Sequence, residues 1–390
     1  MPKLMPSERT RGIKPSKIRE TLEKVTDAKR RGIEITDFSI GRPDFDSPVH
    51  IKEATKKALD NGFVHYAPSA GITELREAVC KRFQEDFDLD VDPGEVIITI
   101  GATEAIYTAL QLILNPGDEI IVPEPMYVYY SGWSLLGGGK FVTLSLTEEK
   151  AFLLEAEEVK KHITPITKAL ILNSPHNPTG QVFEKNELIK VAELAISQDY
   201  FVISDDIYNY MIYDDVEYFN IAKVPGMKER TFIIGSFSKT YAMDGWRVGY
   251  LIVPRQMISD ALKMHQHFVS CPNTFVQVGA QVALTASQDC VHEMVEEFDR
   301  RRCLLMSYLD EIGLPYVRPR GAFYVFPSIK KFGLNSKEFS DLLLNEARVA
   351  VVPGDAFGSA GEGYIRIAYS TSCEEIEKGM ERVGKVLRKL

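Results

Sequence analysis

Lys239 stands in the order Ser236-Phe237-Ser238-Lys239, just past an apolar run at 231–234 that reads as a short buried strand ended by Gly235. Eight residues further on comes Arg247, between Gly245 and Gly249, and a second apolar run follows at 250–253. Burial and a neighbouring cation both lower a lysine's pKa, and such a lysine is a nucleophile toward carbonyl carbon. The two hydroxyls and the Arg247 guanidinium outline a phosphate clamp. Ser-x-Ser-Lys alone equally describes a Ser-rich turn with a solvated lysine. The arginine spacing between two glycines and two strands is far more specific.

Four other places carry chemistry-bearing residues directly after an apolar run. VIITI is followed by Gly101-Ala102-Thr103, which opens a helix; exposed backbone N–H groups there attract phosphate, although small residues cap many helices. EIIVP leads into EPMYVYY, where Tyr127 offers a flat face to an aromatic ring or simply packs in the core. KALILN leads into Ser174-Pro175-His176-Asn177-Pro178-Thr179-Gly180, a rigid turn suited to aiming the Asn177 amide inward, or a turn and nothing more. YFVIS leads into Asp205-Asp206-Ile207-Tyr208. A carboxylate at a buried strand end is costly without a positive partner, and a protonated pyridine nitrogen is one; a helix N-cap is the alternative for Asp205. Asp206 reads as the solvated member of the pair.

The elements that must position these residues alternate. From residue 96 strands and helices take turns up to YLIVP, which predicts an α/β fold with a mainly parallel (mixed) sheet sandwiched by helices. Ligands in such sheets sit at the carboxyl ends of the strands, where all five sites lie. Beyond residue 284 the texture changes to a long charged helix at 290–312, short strand-like runs (YVRP, FYVFPS, YIRIAYS) and a terminal helix at 373–389. The expected division is a large domain at 46–285 and a smaller α+β domain made of 1–45 with 286–390. GGGK at 137–140 lacks the Ser/Thr of a phosphate loop and reads as a helix end and turn.

Composition excludes several classes. With 390 residues and 45% hydrophobic content a large core is affordable to the chain, and a net charge of −9 argues against nucleic acid as a partner. No apolar run suggests a membrane span or a signal segment. Five scattered cysteines and seven histidines without ligand spacing suggest a reduced, cytoplasmic protein with no metal site.

Phosphate binders, a ring stacker, an amide, a carboxylate and a lysine are together the inventory for holding pyridoxal 5′-phosphate. Over nearly its whole length the chain resembles the class I, aspartate aminotransferase-like, fold type I aminotransferases. The resemblance implies that Lys239 condenses with the cofactor aldehyde and then shuttles the proton at Cα. It implies that Asp205 keeps the pyridine nitrogen protonated and that Tyr208 and Asn177 bond the phenolic oxygen. Ser236, Arg247 and the backbone of Ala102 and Thr103 would take the phosphate, with Tyr127 stacked on the ring. Tyr66, in HYAPSAG, matches a tyrosine that reaches the phosphate of the neighbouring subunit, which implies a homodimer with shared sites. Arg366 in YIRIAYS matches the arginine for the substrate α-carboxylate, and Gly41 and Asn177 also match the substrate side; a strand-edge salt bridge is the ordinary alternative for Arg366. The implied activity is ping-pong transfer of an amino group from an L-amino acid to a 2-oxo acid, 2-oxoglutarate foremost. A C–S β-lyase or synthase of the same fold is the alternative, and a non-enzymatic ligand sensor a remote one. Lys14 and Arg42 are candidates for a second, side-chain-reading cation, while Tyr66, Tyr127 and Phe323 suit aromatic or aliphatic side chains.

Overall fold

A computed structural model describes residues 5–390; residues 1–4 of the amino-terminal segment lie outside the described residues. The strands are β1 (Thr36–Asp37), β2 (Val96–Thr99), β3 (Glu119–Glu124), β4 (Lys140–Ser145), β5 (Thr167–Asn173), β6 (Phe201–Asp205), β7 (Thr231–Ser236), β8 (Gly249–Ile252), β9 (Tyr324–Val325), β10 (Val349–Ala350), β11 (Val352–Pro353) and β12 (Ile365–Ala368). Strands β2 to β8 build one seven-stranded sheet in the order β2-β8-β7-β6-β5-β3-β4. All its neighbours pair in parallel except those of β8, which runs against β2 and β7.

Both faces of this sheet are covered, which is why its strands read as continuous apolar runs. Side chains alternate between the faces. Ile98 and Ile233 pack toward the helices Thr73–Phe87 and Thr274–Thr285. Ile97, Ile234 and Leu251 pack toward Ala102–Ile113 and Ile258–Phe268. The fold is therefore α/β, a mixed sheet between helices.

The amino-terminal segment returns to the last third of the chain. β1 pairs in parallel with β10, Thr36 opposite Val349. Phe38 is buried in the same cluster as Phe298, Phe323, Ile367, Ile376 and Met380. The helices Asp289–Glu311 and Cys373–Leu387 cover that cluster, beside a small antiparallel sheet ordered β11-β12-β9.

Two expectations are corrected. YVRP at 316–319 is not a strand. The neighbouring backbone is engaged by the turn after β5: Gln181 Nε2 donates to the Arg318 carbonyl, and Arg320 N and Gly321 N both donate to the Gly180 carbonyl. Asp206 is not solvated but 3% exposed, its carboxylate accepting from Ser204 Oγ at 2.6 Å and Asn220 Nδ2 at 2.6 Å.

One edge of the large sheet gathers the chemistry. β2, β3, β5, β6 and β7 all end there, and β8, being antiparallel, begins there. Gly249 lies opposite both Thr99 and Ser236, so Arg247 enters beside the turn after β2. A Cβ on Gly249 would lie 2.7 Å from the Gly235 carbonyl and 3.0 Å from Ala102 N, so glycine is what allows the three backbones to meet.

Candidate active site

Lys239 follows β7 on the single-turn helix Phe237–Thr240, which Ser236 caps by accepting from Ser238 N. Its Nζ donates to the Gly41 carbonyl at 2.5 Å and lies 5.8 Å from the centre of the Phe323 ring. Burial pushes the ammonium down to about 8; the Arg366 and Arg247 cations add to this, while Asp244 and Asp205 oppose it. The result is an amine that gives up its proton near neutrality.

Around it the anion-binding groups assemble. Arg247 adopts the left-handed conformation (φ 55°), and among the described residues its guanidinium donates only to carbonyls, to Asp244 at 2.8 Å and Ile100 at 3.3 Å. It leans on Gly101, whose added Cβ would lie 2.7 Å from Nη2. Gly101 is also the N-cap of Ala102–Ile113, with no side chain capping it, so the first-turn N–H groups at Ala102 and Thr103 face outward beside that guanidinium. Ser236 Oγ stands opposite, donating to Ser238 Oγ at 2.9 Å.

Asp205, at the end of β6, is 1% exposed. One carboxylate oxygen accepts from the Tyr130 hydroxyl at 2.5 Å, and the other, Oδ1, is buried without a partner among the described residues. Burial raises its pKa to about 6, against the hydrogen bonds from Tyr130 and the Ile207 N–H and the Lys239 cation. Tyr127 flanks the same carboxylate within an aromatic group, its ring 5.5 Å from Tyr130 and 5.3 Å from Tyr129. Tyr208 is buried and shares a 2.8 Å hydrogen bond with the Tyr324 hydroxyl.

Arg366 on β12 is 2% exposed. Its Nη1 donates to Asn177 Oδ1 at 3.1 Å and its Nη2 to the Ser39 carbonyl at 2.8 Å, while Nε has no partner among the described residues. The guanidinium lies between the rings of Tyr324 (4.4 Å) and Phe357 (5.0 Å). The buried arginines Arg301 and Arg302 are each held by Asp or Glu, whereas the contacts of Arg366 are carbonyl oxygens and rings. A buried cation left without an acid calls for an anionic ligand.

The structure thus brings Gly41, Asn177, Tyr208, Lys239 and Arg366 into one hydrogen-bonded and packed set, with Asp205 and Tyr127 electrostatically coupled to it. Ala102, Ser236 and Arg247 line the neighbouring anion cradle. Thr103 is exposed, and Tyr66 is 90% exposed, so within this chain it is not enclosed in the site. Sequence reasoning missed Tyr130 and Tyr324. Tyr130 lay in the same aromatic run as Tyr127, three residues away, so a helical one-turn spacing was the available signal.

These residues fit pyridoxal phosphate. The orphaned Asp205 oxygen would suit a protonated ring nitrogen, the turn at 101–103 with Arg247 a phosphate, and the Lys239 amine, its pKa lowered by burial, an aldehyde.

Comparison with known proteins agrees. The profile of the family "Aminotransferase class I and II" matches residues 33–383. An aspartate aminotransferase of Pyrococcus abyssi is 46% identical, with 98% of each chain covered. An aromatic-amino-acid aminotransferase of Thermococcus litoralis is 45% identical, again over 98% of each. The solved structure of the Thermus thermophilus aspartate aminotransferase with maleate superposes with a TM-score of 0.95 at 39% identity, covering 98% of this chain and 100% of that one. With matches running essentially from end to end, the chain belongs to the class I and II aminotransferase family and is a pyridoxal-phosphate-dependent transaminase.

Proposed function

We propose that the protein moves an amino group from an L-amino acid to a 2-oxo acid, 2-oxoglutarate foremost, in two half-reactions at a single site. The observation that carries this is Arg366, a buried guanidinium without an acid, bonded to Asn177 and set in the same cluster as Lys239. When bound, pyridoxal phosphate supplies an aldehyde for the amine and a protonated ring that draws electron density from Cα.

The protein's own groups do the rest. Arg366 binds the α-carboxylate and so orients Cα, with the Gly41 backbone beside it. Lys239 holds the aldehyde until substrate arrives and then takes and returns the proton at Cα, a task suited to an amine titrating near 8. Asp205 keeps the ring nitrogen protonated, and Tyr130 fixes the orientation of that carboxylate. Tyr208 and Asn177 address the phenolic oxygen, Tyr127 covers the ring face, and Ser236, Arg247, Ala102 and Thr103 hold the phosphate. Tyr66, exposed in one chain, reaches the phosphate of a second copy, so the working unit is a homodimer with shared sites. The division into 46–285 and 1–45 with 286–390 belongs to the same reading and is supported by the β1–β10 pairing. So is a cytoplasmic setting, supported by five free cysteines.

The names of the relatives point to two donor classes, aspartate and aromatic amino acids. Aromatic rings at Tyr127, Phe323, Tyr324 and Phe357 favour the second. Lys14 and Arg42 are exposed, and either would serve the first only by turning inward.

The test is a single-donor experiment. Holoenzyme mixed with L-aspartate or L-phenylalanine alone converts one equivalent of cofactor, seen in its visible absorbance, and stops until a 2-oxo acid is added. Sustained turnover without a 2-oxo acid identifies a lyase instead. Unchanged transamination by Lys239→Ala removes the proposal altogether.

A further inference from the structure

Tyr324 enters the reading above only as one of the aromatic rings that favour an aromatic donor, yet its side chain touches Tyr208, Gly41 and Arg366. Its hydroxyl lies 2.8 Å from that of Tyr208. The same hydroxyl is so close to Gly41 that a Cβ there would lie 2.4 Å from it. Its ring carries the Arg366 guanidinium at 4.4 Å, and the ring of Tyr208 stands edge-on to it at 5.7 Å and 84°. The side chain is 1% exposed.

A buried hydroxyl takes a partner. When two hydroxyls pair, one donates and the other keeps its own proton for a third acceptor. Being bonded as an acceptor also polarises that second hydroxyl and makes it a stronger donor. The charged and titratable groups facing the pair are Arg366, Tyr127 and Tyr130, with Asp205 and Lys239 beyond them. Burial raises the pKa of both tyrosines, and among these groups the Arg366 cation opposes it.

We propose that Tyr324 is a positioning residue joining the two halves of the site. Its O–H donates to Tyr208, leaving the Tyr208 proton for the phenolic oxygen of the cofactor, and its ring is the platform that holds Arg366 for the substrate carboxylate. This rests on the reading of Tyr208 and Arg366 given above. One side chain thereby ties carboxylate recognition to the electronic state of the cofactor, and its two parts are separable by substitution.

The experiment uses holoenzyme carrying Tyr324→Phe, Tyr324→Leu, Tyr208→Phe or Tyr208→Phe with Tyr324→Phe. It follows the pH midpoint of the cofactor's visible absorbance, maleate binding and the thermal midpoint. Tyr208→Phe moves the absorbance midpoint upward, because a donor to the phenolic oxygen is lost. Tyr324→Phe moves it upward by a smaller step, about 0.2–0.5 pH unit, as expected for loss of hydrogen-bond cooperativity. Added to Tyr208→Phe it moves it no further. Tyr324→Phe keeps maleate affinity within about twofold, whereas Tyr324→Leu, losing the platform, weakens it about tenfold, the scale of one cation–π contact. If Tyr208→Phe shifts the midpoint and Tyr324→Phe does not, this proposal alone is overturned, even if the thermal midpoint falls. If Tyr208→Phe itself shifts nothing, the earlier reading of Tyr208 fails and this one with it.

Discussion

Asp205 is held in a condition that suits its proposed role and disfavours the fold. Its carboxyl titrates near 3.8 when exposed and near 6 in the cofactor-free protein, with burial the main cause. Between those values the unfolded chain loses the proton while the folded one keeps it, so stability falls as pH rises from about 4 to 6 and stays lowered above that. The difference is worth about 3 kcal/mol. Asp205→Asn keeps the bond from Tyr130, so the cofactor-free variant is expected to melt higher than the parent at pH 7 and no higher at pH 4. Its transamination is expected to fall about a hundredfold or more. A lower melting point at pH 7 would show that the buried charge is not a burden. Lys239 gives a complementary profile. Since the amine must be neutral to attack, uptake of pyridoxal phosphate by the cofactor-free protein should accelerate about tenfold per pH unit and level off near 8. Stopped-flow absorbance across pH 6 to about 9 measures this. Lys239 and Asp205 were legible in the sequence because each ends an apolar run. Tyr130 and Tyr324 were not, because their meaning lies in partners 75 and 116 residues away.

At the scale of elements, the reversed strand β8 shapes the candidate anion cradle. It brings Arg247 to the turn after β2, and Gly249 is the point where three backbones touch. Gly249→Ala must push Gly101 and Ala102 apart from Gly235. The expected loss is about 1–3 kcal/mol of stability, with pyridoxal phosphate and inorganic phosphate both bound at least about tenfold more weakly. Calorimetry with phosphate and the cofactor-free variant reads the second effect independently of turnover. Unaltered phosphate affinity would mean that the turn adjusts without loss. The strands and their mainly parallel sense were readable from apolar runs alternating with helices, but the reversal of β8 was not, since a short buried run carries no sign of its own sense. YVRP failed as a strand for a related reason. Its partner is the turn around Gly180, and no local pattern announces a backbone claimed by a distant carbonyl.

At the scale of the molecule, Tyr66 at 90% exposure follows closely in the chain on two other exposed apolar side chains, Phe63 and Val64. A second copy of the chain covers them in the proposed homodimer, and this has a specific signature. Tyr66→Ala and Lys239→Ala proteins, each of low activity, are expected to regain about a quarter of parental activity when refolded together, because the mixed dimer contains one complete site. Sedimentation of that mixture should give twice the 43.9 kDa chain mass. No recovery on mixing would place each site within a single chain.

Arg366 draws together the amino-terminal segment through Ser39, the turn after β5 through Asn177, and the last third of the chain through Tyr324 and Phe357. A small carboxylate that settles on it therefore acts on the whole fold as well as on the reaction, as a missing counter-ion shared by three parts of the chain. At a concentration a hundred times its dissociation constant such an acid adds about 2.7 kcal/mol of stability. On the proposed role of Arg366, buffers made from carboxylic acids should therefore favour folding of this protein and, at the same time, compete with its substrate.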